Sequence, residues 1–222
     1  ETESMEFDVV IVGAGPAGLG CADELLKRGY DVTLFDSKPA PGGLLVYGIP
    51  NFKLSKDVFF KRWDDMAKLG AKFVGNTYVG RDITIDEILA QGFDAMFVGV
   101  GAGIDAPMNI PGEDLEGVYE ATDYLIRGNV SGDDLPKDKE PLPDLGNDVV
   151  VIGGGDTASD CLRTSLRLGV ENVTCLYRRT EAEMPGSAKD RKLAKQEGAK
   201  YNFLTQPVQF IAGEDGKLAA VE

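Results

Sequence analysis

The chain has 222 residues, a formal net charge of −14 and no histidine. This surplus of acidic residues argues against nucleic acid and anionic membranes as partners, because both require a basic surface. The lack of histidine excludes histidine general-base catalysis and histidine metal sites within this sequence. No apolar run approaches the roughly 20 residues of a membrane span, and no signal-peptide pattern opens the sequence.

The three cysteines are scattered along the chain and form no C-x-x-C pair: Cys21, Cys161 and Cys175. Isolated thiols of this kind are typical of a reducing compartment. The sequence therefore indicates a cytoplasmic protein with buried free cysteines, and predicts no disulfide, metal site or redox dithiol.

The first predicted elements form a βαβ unit. Residues 7–12 are a nearly continuous apolar run, typical of a strand buried on both faces of a parallel sheet. A glycine-rich turn follows, and residues 16–28 place apolar side chains on one face at helical spacing. Residues 31–35 are predicted as the second strand.

The next part of the chain alternates between helical, extended and irregular patterns. A long loop at 38–53 is indicated by its prolines and glycines. The elements predicted after it are helices at 55–69 and 84–91, an extended segment at 72–79, a buried strand at 93–100 and a short helix near 119–127. A polar, proline-rich stretch then indicates a linker over residues 126–147.

A second βαβ unit is predicted after the linker. Its parts are a strand at 148–152, a turn at 153–155, a helix at 156–168 and a strand at 172–178. A helix near 187–197, a strand near 200–205 and a hairpin around Asp215-Gly216 follow. Overlaying Gly13 on Gly153 superposes the two units, which predicts an α/β protein with two Rossmann-like dinucleotide-binding domains at 5–125 and 148–222.

The first glycine-rich turn reads Gly13-x-Gly15-x-x-Gly18. Its glycines permit a tight bend and let a pyrophosphate approach the backbone N–H groups at the helix N-terminus. The strand before the turn, the helix after it and the acidic Asp36 at the end of the second strand are the context of a dinucleotide site. The predicted site also includes Pro16, Ala17 and Ser37.

The second turn, Gly153-x-Gly155-x-x-Ala158, is the permitted alanine variant of the same motif. Where the first unit has Asp36, the overlay places Tyr177, followed by Arg178 and Arg179. A carboxylate accepts hydrogen bonds from an unmodified ribose, whereas arginine binds a phosphate. The first unit is therefore expected to bind FAD or NAD, and the second NADP.

Two dinucleotide sites in one chain suggest transfer between their ligands. Two nicotinamides would indicate a transhydrogenase. A nicotinamide and a flavin would indicate hydride transfer to the flavin, which requires no side-chain nucleophile or base. The second scheme suits a chain without histidine.

Five motifs in order resemble the small (β) subunit of NADPH-dependent glutamate synthase. They are GAGPAGL, PGGLLVYGIPNFKL, IPGEDLEGV, VVVIGGGDTASDC and VTCLYRRTEAEMPG, and the resemblance covers about residues 7 to 210. The wider class shares this NADPH–FAD module with the amino-terminal part of dihydropyrimidine dehydrogenase and with other electron-input subunits. The motifs are specific for the family and poorly specific for its members.

The resemblance implies that FAD binds at the first turn and Asp36, with the loop at Gly42, Gly43 and Leu44 close to the flavin. It implies NADPH at the second turn, including Asp156 and Thr157, with Arg178 and Arg179 on the 2′-phosphate. Gly99-Val100-Gly101 stands where many members have Ala-Thr-Gly, which makes Gly101 a further candidate. Electrons are expected to leave through iron–sulfur clusters, in a preceding domain or in a larger partner subunit.

The family's FAD domain resumes after its NADPH domain, so the chain is expected to hold only the amino-terminal half of an FAD domain. Two alternatives stay open. One is the electron-input subunit of another complex, such as pyrimidine reduction or ferredoxin-linked bifurcation. The other is a non-catalytic NADPH-sensing module. A thioredoxin reductase-like enzyme is disfavoured, because no redox dithiol occurs in the second domain.

Overall fold

The computed structural model describes residues 7–222, so the predicted domain start at residue 5 lies outside the described residues. Contacts divide the chain into two compact units. The first ends at Gly103 and also includes Asn129–Pro141, and the second comprises Ile104–Gly128 and Leu142–Glu222. No helix among residues 7–222 is long and apolar enough to cross a membrane.

The first unit contains a four-stranded parallel sheet in the order β3-β2-β1-β4. Its strands are β1 (Asp8–Val12), β2 (Asp31–Phe35), β3 (Lys72–Val74) and β4 (Ala95–Val98). Its helices are α1 (Pro16–Leu26), α2 (Leu44–Tyr47), α3 (Lys56–Lys68) and α4 (Ile85–Leu89). The βαβ prediction is confirmed, and the predicted loop at 38–53 contains the short α2.

The core of the first unit lies where β1 and β2 meet α1. Val10, Ile11 and Leu34 are fully buried, and α1 buries Leu19 and Ala22 toward them. The nearly continuous apolar run of the first strand therefore predicted this core correctly, because a central parallel strand is covered on both faces.

The prediction of a buried strand at 93–100 is wrong in one respect. The strand forms as β4, but Phe97 is 37% and Val98 is 58% exposed. The cause is its place at the edge of the sheet, where it pairs with β1 alone among the described strands.

The second unit contains a three-stranded parallel sheet in the order β5-β6-β7. The strands are β5 (Asp148–Ile152), β6 (Asn172–Tyr177) and β7 (Lys200–Phe203), and an antiparallel hairpin follows as β8 (Phe210–Ala212) and β9 (Leu218–Val221). The helices are α5 (Ala121–Asn129), α6 (Asp156–Arg167) and α7 (Ala188–Glu197). Both the second βαβ unit and the hairpin were predicted.

Helix α5 explains why the division by contacts differs from the predicted limits of 5–125, 126–147 and 148–222. The hydroxyl groups of Tyr124 and Ser165 lie 2.7 Å apart, and Tyr124 and Leu125 pack with Cys161 in one buried cluster. Most of α5 therefore belongs with α6 in the second unit, whereas the stretch after it, Asn129–Pro141, belongs to the first unit.

Candidate dinucleotide-binding sites

The first glycine-rich turn joins β1 to α1 in a conformation that requires glycine. Gly13 has a φ of 99°, and its N–H donates to the carbonyl oxygen of Phe35 at 2.7 Å. A Cβ on Gly18 would lie 1.9 Å from the carbonyl oxygen of Gly13, so helix and turn touch through bare backbone. Helix α1 begins after Gly15 without a side-chain cap, and its first residues Pro16 and Ala17 are exposed. Unsatisfied N–H groups in such a place attract phosphate.

Asp36 lies beside this turn, as the sequence predicted. Its Oδ2 accepts the N–H of Ala14 at 2.7 Å, and its Oδ1 accepts the N–H of Lys38 at 2.9 Å. Each carboxylate oxygen has two acceptor positions, so both keep capacity for a ribose hydroxyl. Ser37 is exposed next to it.

The segment at Gly42 and Gly43 packs directly on the first turn. The N–H of Gly42 donates to the carbonyl oxygen of Ala14 at 2.8 Å. A Cβ on Gly43 would lie 2.7 Å from the Cα of Gly15, so a larger residue does not fit. The next side chain, Leu44, is 62% exposed. The resemblance had placed these three residues at the site, and the structure brings all three to the turn or its rim.

Two side chains that the sequence did not single out hold this segment in place. The ammonium of Lys56 donates to the carbonyl oxygens of Leu45, at 2.8 Å, and of Ile49. The amide of Asn129 donates to the carbonyl oxygens of Tyr47 and Gly48 at 3.3 and 3.1 Å. The carbonyl groups in and just after α2 are thereby satisfied by side chains from outside this helix.

Gly101 and Gly99 have different surroundings. Gly101 has a φ of 70°, and a Cβ on it would meet no atom within 4 Å, so it lies in open space. Gly99 packs against the first turn, because a Cβ on Gly13 would lie 2.4 Å from its carbonyl oxygen. Gly99 is therefore the residue of this run that contacts the turn, whereas the sequence had pointed to Gly101.

The second turn repeats the first with looser packing. Gly153 has a φ of 135°, and its N–H donates to the carbonyl oxygen of Leu176 at 3.0 Å. A Cβ on Gly153 would lie 3.6 Å from the Cβ of Ala158, an ordinary contact, so alanine is tolerated at this third place. Helix α6 begins after Gly155 without a side-chain cap, and Asp156 and Thr157 are exposed in its first turn.

A segment from the loop after β6 covers the second turn. The N–H of Gly186 donates to the carbonyl oxygen of Gly154 at 3.0 Å, and the N–H of Ser187 donates to Oδ1 of Asp156 at 2.7 Å. A Cβ on Gly186 would lie 2.8 Å from the carbonyl carbon of Gly155. Asp156 therefore positions this loop, a role that the sequence did not reveal.

The overlay of the two units is confirmed by their hydrogen bonds. The N–H of Gly13 donates to the carbonyl oxygen of the residue before Asp36. The N–H of Gly153 donates in the same way to the carbonyl oxygen of the residue before Tyr177. Tyr177 is buried, and its ring fills the space that a side chain on Gly154 would occupy. Its hydroxyl donates to the carbonyl oxygen of Glu183 at 2.9 Å. No carboxylate stands at this position of the second unit.

Arg178 and Arg179 follow Tyr177 and are both exposed. Among residues 7–222, neither guanidinium has a carboxylate within salt-bridge distance. The nearby Glu183 accepts hydrogen bonds from the N–H and hydroxyl of Thr180, at 3.1 and 2.8 Å. In a chain with a net charge of −14, two adjacent arginines that form no ion pair within the described residues are available for an anion.

The cysteines are not arranged for redox chemistry. All three are free, and burial raises the pKa of Cys161 to about 12 and that of Cys175 to about 11. Thiolates, the reactive form, do not accumulate at neutral pH under these conditions.

The sequence profile of the pyridine nucleotide-disulphide oxidoreductases matches residues 7–222. The chain belongs to this family. Curated relatives include the putative oxidoreductase AegA of Escherichia coli, 48% identical over 96% of this chain, and the small chain of glutamate synthase [NADPH] of the same organism, 44% identical over 96%. The chain spans 32% and 46% of their respective lengths. The predicted kinship with glutamate synthase small chains is thus confirmed.

Solved structures support the fold of this chain. FprA of Mycobacterium tuberculosis in complex with NADPH aligns with a TM-score of 0.80 and 23% identity, over 98% of this chain and 63% of that one. Thioredoxin reductase of T. acidophilum aligns with a TM-score of 0.67 and 20% identity, over 97% and 70%. The predicted α/β fold with Rossmann-like units is therefore confirmed.

Proposed function

We propose that the chain is an NADPH-dependent FAD oxidoreductase module, in which the first unit holds FAD and the second holds NADPH. The observation that supports this most strongly is the contrast between two otherwise equivalent turns. Asp36 lies at the first turn, whereas the second turn has a buried Tyr177 followed by Arg178 and Arg179, which form no ion pair with any of residues 7–222.

The first turn fits FAD because its backbone is bare where a pyrophosphate must approach. A Cβ at Gly18 or Gly43 would collide with backbone, and the N-terminus of α1 is uncapped. Asp36 would accept hydrogen bonds from the adenosine ribose, and Leu44 would offer an apolar contact at the rim of the site. Lys56 and Asn129 would keep the segment after Gly43 in its place.

The second turn fits NADPH because a Cβ on Gly155 would meet no atom within 4 Å and the N-terminus of α6 is uncapped. The N-terminus of α6 would face the pyrophosphate, and the guanidinium groups of Arg178 and Arg179 would bind the 2′-phosphate. When both cofactors are bound, they supply the redox chemistry, since NADPH donates a hydride and a flavin accepts it. The chain's own residues bind and orient the cofactors.

The onward path of the electrons is also part of the proposal. Several relatives are subunits by name, including a glutamate synthase small chain, the β subunit of an NADP⁺-dependent formate dehydrogenase of Moorella thermoacetica and that of an NADPH–Fe(III) oxidoreductase of Geobacter sulfurreducens. We infer that electrons pass through iron–sulfur clusters to a larger partner subunit or domain, in the cytoplasm. The diversity of these names keeps both a glutamate synthase and another electron-input complex as candidates.

The test uses the full-length protein under anaerobic conditions. NADPH should bleach the visible absorbance of the flavin, and NADH should do so poorly. Replacing both Arg178 and Arg179 by alanine should raise the KM for NADPH about 10–150-fold, the loss expected for at least one charge-assisted contact of about 1.5–3 kcal/mol. The KM for NADH should stay unchanged.

Arg28→Ala is the matched control, because its side chain is 61% exposed at the end of α1. It should leave both KM values unchanged. Equal use of NADH and NADPH by the unmodified protein would contradict the role of the arginine pair. A colourless protein that FAD does not stabilise against heat would contradict the oxidoreductase and favour a module that only senses NADPH.

A further inference from the structure

Leu204 has an unusual combination of backbone and exposure. It follows the last residue of β7, its φ is 54° and the residue is 74% exposed. The left-handed region is unfavourable for leucine, and an exposed side chain gains nothing from the protein core. Strained residues of this kind cluster at active sites and ligand-binding segments.

The first unit has a residue at the same place. The N–H of Asn76 donates to the carbonyl oxygen of Lys38 at 3.0 Å. In the second unit, the N–H of Leu204 donates to the carbonyl oxygen of Arg179 at 3.2 Å. Asn76 has a φ of 53°. The threonines that follow also make equivalent hydrogen bonds. The N–H of Thr77 donates to the carbonyl oxygen of Asp36 at 2.9 Å, and the N–H of Thr205 donates to the carbonyl oxygen of Tyr177 at 3.1 Å. The repeat thus extends to the end of the third strand of each unit.

The two residues differ in chemistry. Asparagine is tolerated in the left-handed region because its short polar side chain bonds locally. Leucine has no such compensation, so the second unit carries an apolar, exposed side chain at a position that favours asparagine or glycine. The fold alone does not require leucine there.

The place of Leu204 relative to the candidate NADPH site indicates its role. Ligands of open α/β sheets bind outside the carboxyl ends of the strands. The glycine turn follows β5, the arginine pair follows β6 and Leu204 follows β7, and neighbouring strands lie about 4.8 Å apart. A 2′-phosphate and an adenine are carried by one ribose, so a phosphate bound at the end of β6 leaves the base within reach of the end of the neighbouring β7.

We propose that Leu204 is the apolar platform on which the adenine face of NADPH rests. This inference depends on the proposed function, because it assumes that the second unit binds NADPH. The backbone hydrogen bond between Leu204 and Arg179 fixes the leucine beside the arginine pair. One loop contact thereby sets the spacing between the adenine platform and the 2′-phosphate site.

The test compares nucleotide binding with stability in the full-length protein. Leu204→Gly and Leu204→Asn, the second of which installs the residue of the first unit, should each weaken the binding of 2′,5′-ADP about five- to tenfold by calorimetry, since part of a leucine's burial is lost. The KM for NADPH and that for NADH should rise by the same factor. The melting temperature should stay the same or rise, because both replacements suit a positive φ.

Leu168→Asn is the control, because this leucine is 51% exposed at the end of α6, away from the carboxyl ends of the strands. It should leave 2′,5′-ADP binding unchanged. Unchanged binding of 2′,5′-ADP by Leu204→Gly would overturn the adenine platform and leave the NADPH site standing. Failure of the unmodified protein to bind 2′,5′-ADP would overturn both.

Discussion

The backbone N–H of Gly186 donates to the carbonyl oxygen of Gly154 at 3.0 Å, and Gly42 makes the same contact with Ala14 at 2.8 Å. In each unit, a glycine from the loop after the second strand thus lies on the second residue of the glycine turn. The covering loop of the second unit is held further by Asp156, whose carboxylate accepts the N–H of Ser187. The loop and the candidate pyrophosphate site form one structural feature.

Gly186→Ala should therefore damage the second site without touching an arginine. Its Cβ would lie 2.8 Å from the carbonyl carbon of Gly155, and overpacking of this kind costs about 1–3 kcal/mol. We expect the dissociation constant for NADPH to rise about tenfold in a fluorescence titration of the full-length protein. Ala182→Ser, an exposed position in the same loop, is the control and should bind normally. An unchanged dissociation constant for NADPH in Gly186→Ala would contradict this prediction, because it would mean that the loop can shift away from the turn without affecting the site.

Two glycines of α1 make a matched pair for the first turn. A Cβ on Gly18 would lie 1.9 Å from the carbonyl oxygen of Gly13, whereas one on Gly20 would meet no atom within 4 Å. Gly20→Ala should stabilise the protein by about 0.5–1 kcal/mol, because alanine favours the helix. Gly18→Ala should lower the melting temperature and release FAD, measured as free flavin fluorescence after gel filtration. Equal behaviour of the two variants would refute the tight contact at Gly18.

Much of the site was predictable because its signals are local. The first glycine of each turn has a positive φ, and its N–H donates to the residue just before Asp36 in the first unit and just before Tyr177 in the second, so counting along the chain located these two equivalent positions. The strand β4 was also predictable from the apolar residues of its sequence. Its exposure was not, because burial of a strand depends on which neighbours lie beside it in the sheet.

Contacts between distant residues account for the rest. Ser187 and Asp156 are 31 residues apart, and Asn129 and Tyr47 are 82 apart. Neither pair has a periodic or compositional pattern that would connect it in the sequence. Leu204 was read as part of a strand because leucine favours neither turns nor a positive φ, and its conformation is set by the hydrogen bonds around it.

Lys56 combines a structural contact with an altered titration. Its ammonium reaches the carbonyl oxygens of Leu45 and Ile49 from the start of α3, and burial lowers the pKa of Lys56 to about 8. An unfolded lysine titrates near 10.4. The unfolded chain therefore keeps this proton at pH values where the folded chain has lost it.

The free energy of unfolding should consequently rise with pH between about 8 and 10.4, because the unfolded state binds more protons there. The contribution of one group is at most about 1.4 kcal/mol per pH unit. Lys56→Met should lack this part of the slope in urea titrations at about pH 8, 9 and 10, which lie within that window. Lys61→Met, an exposed lysine of the same helix, should keep the slope of the unmodified protein. Identical slopes in all three proteins would show that Lys56 keeps its proton on folding and that its burial is relieved by water.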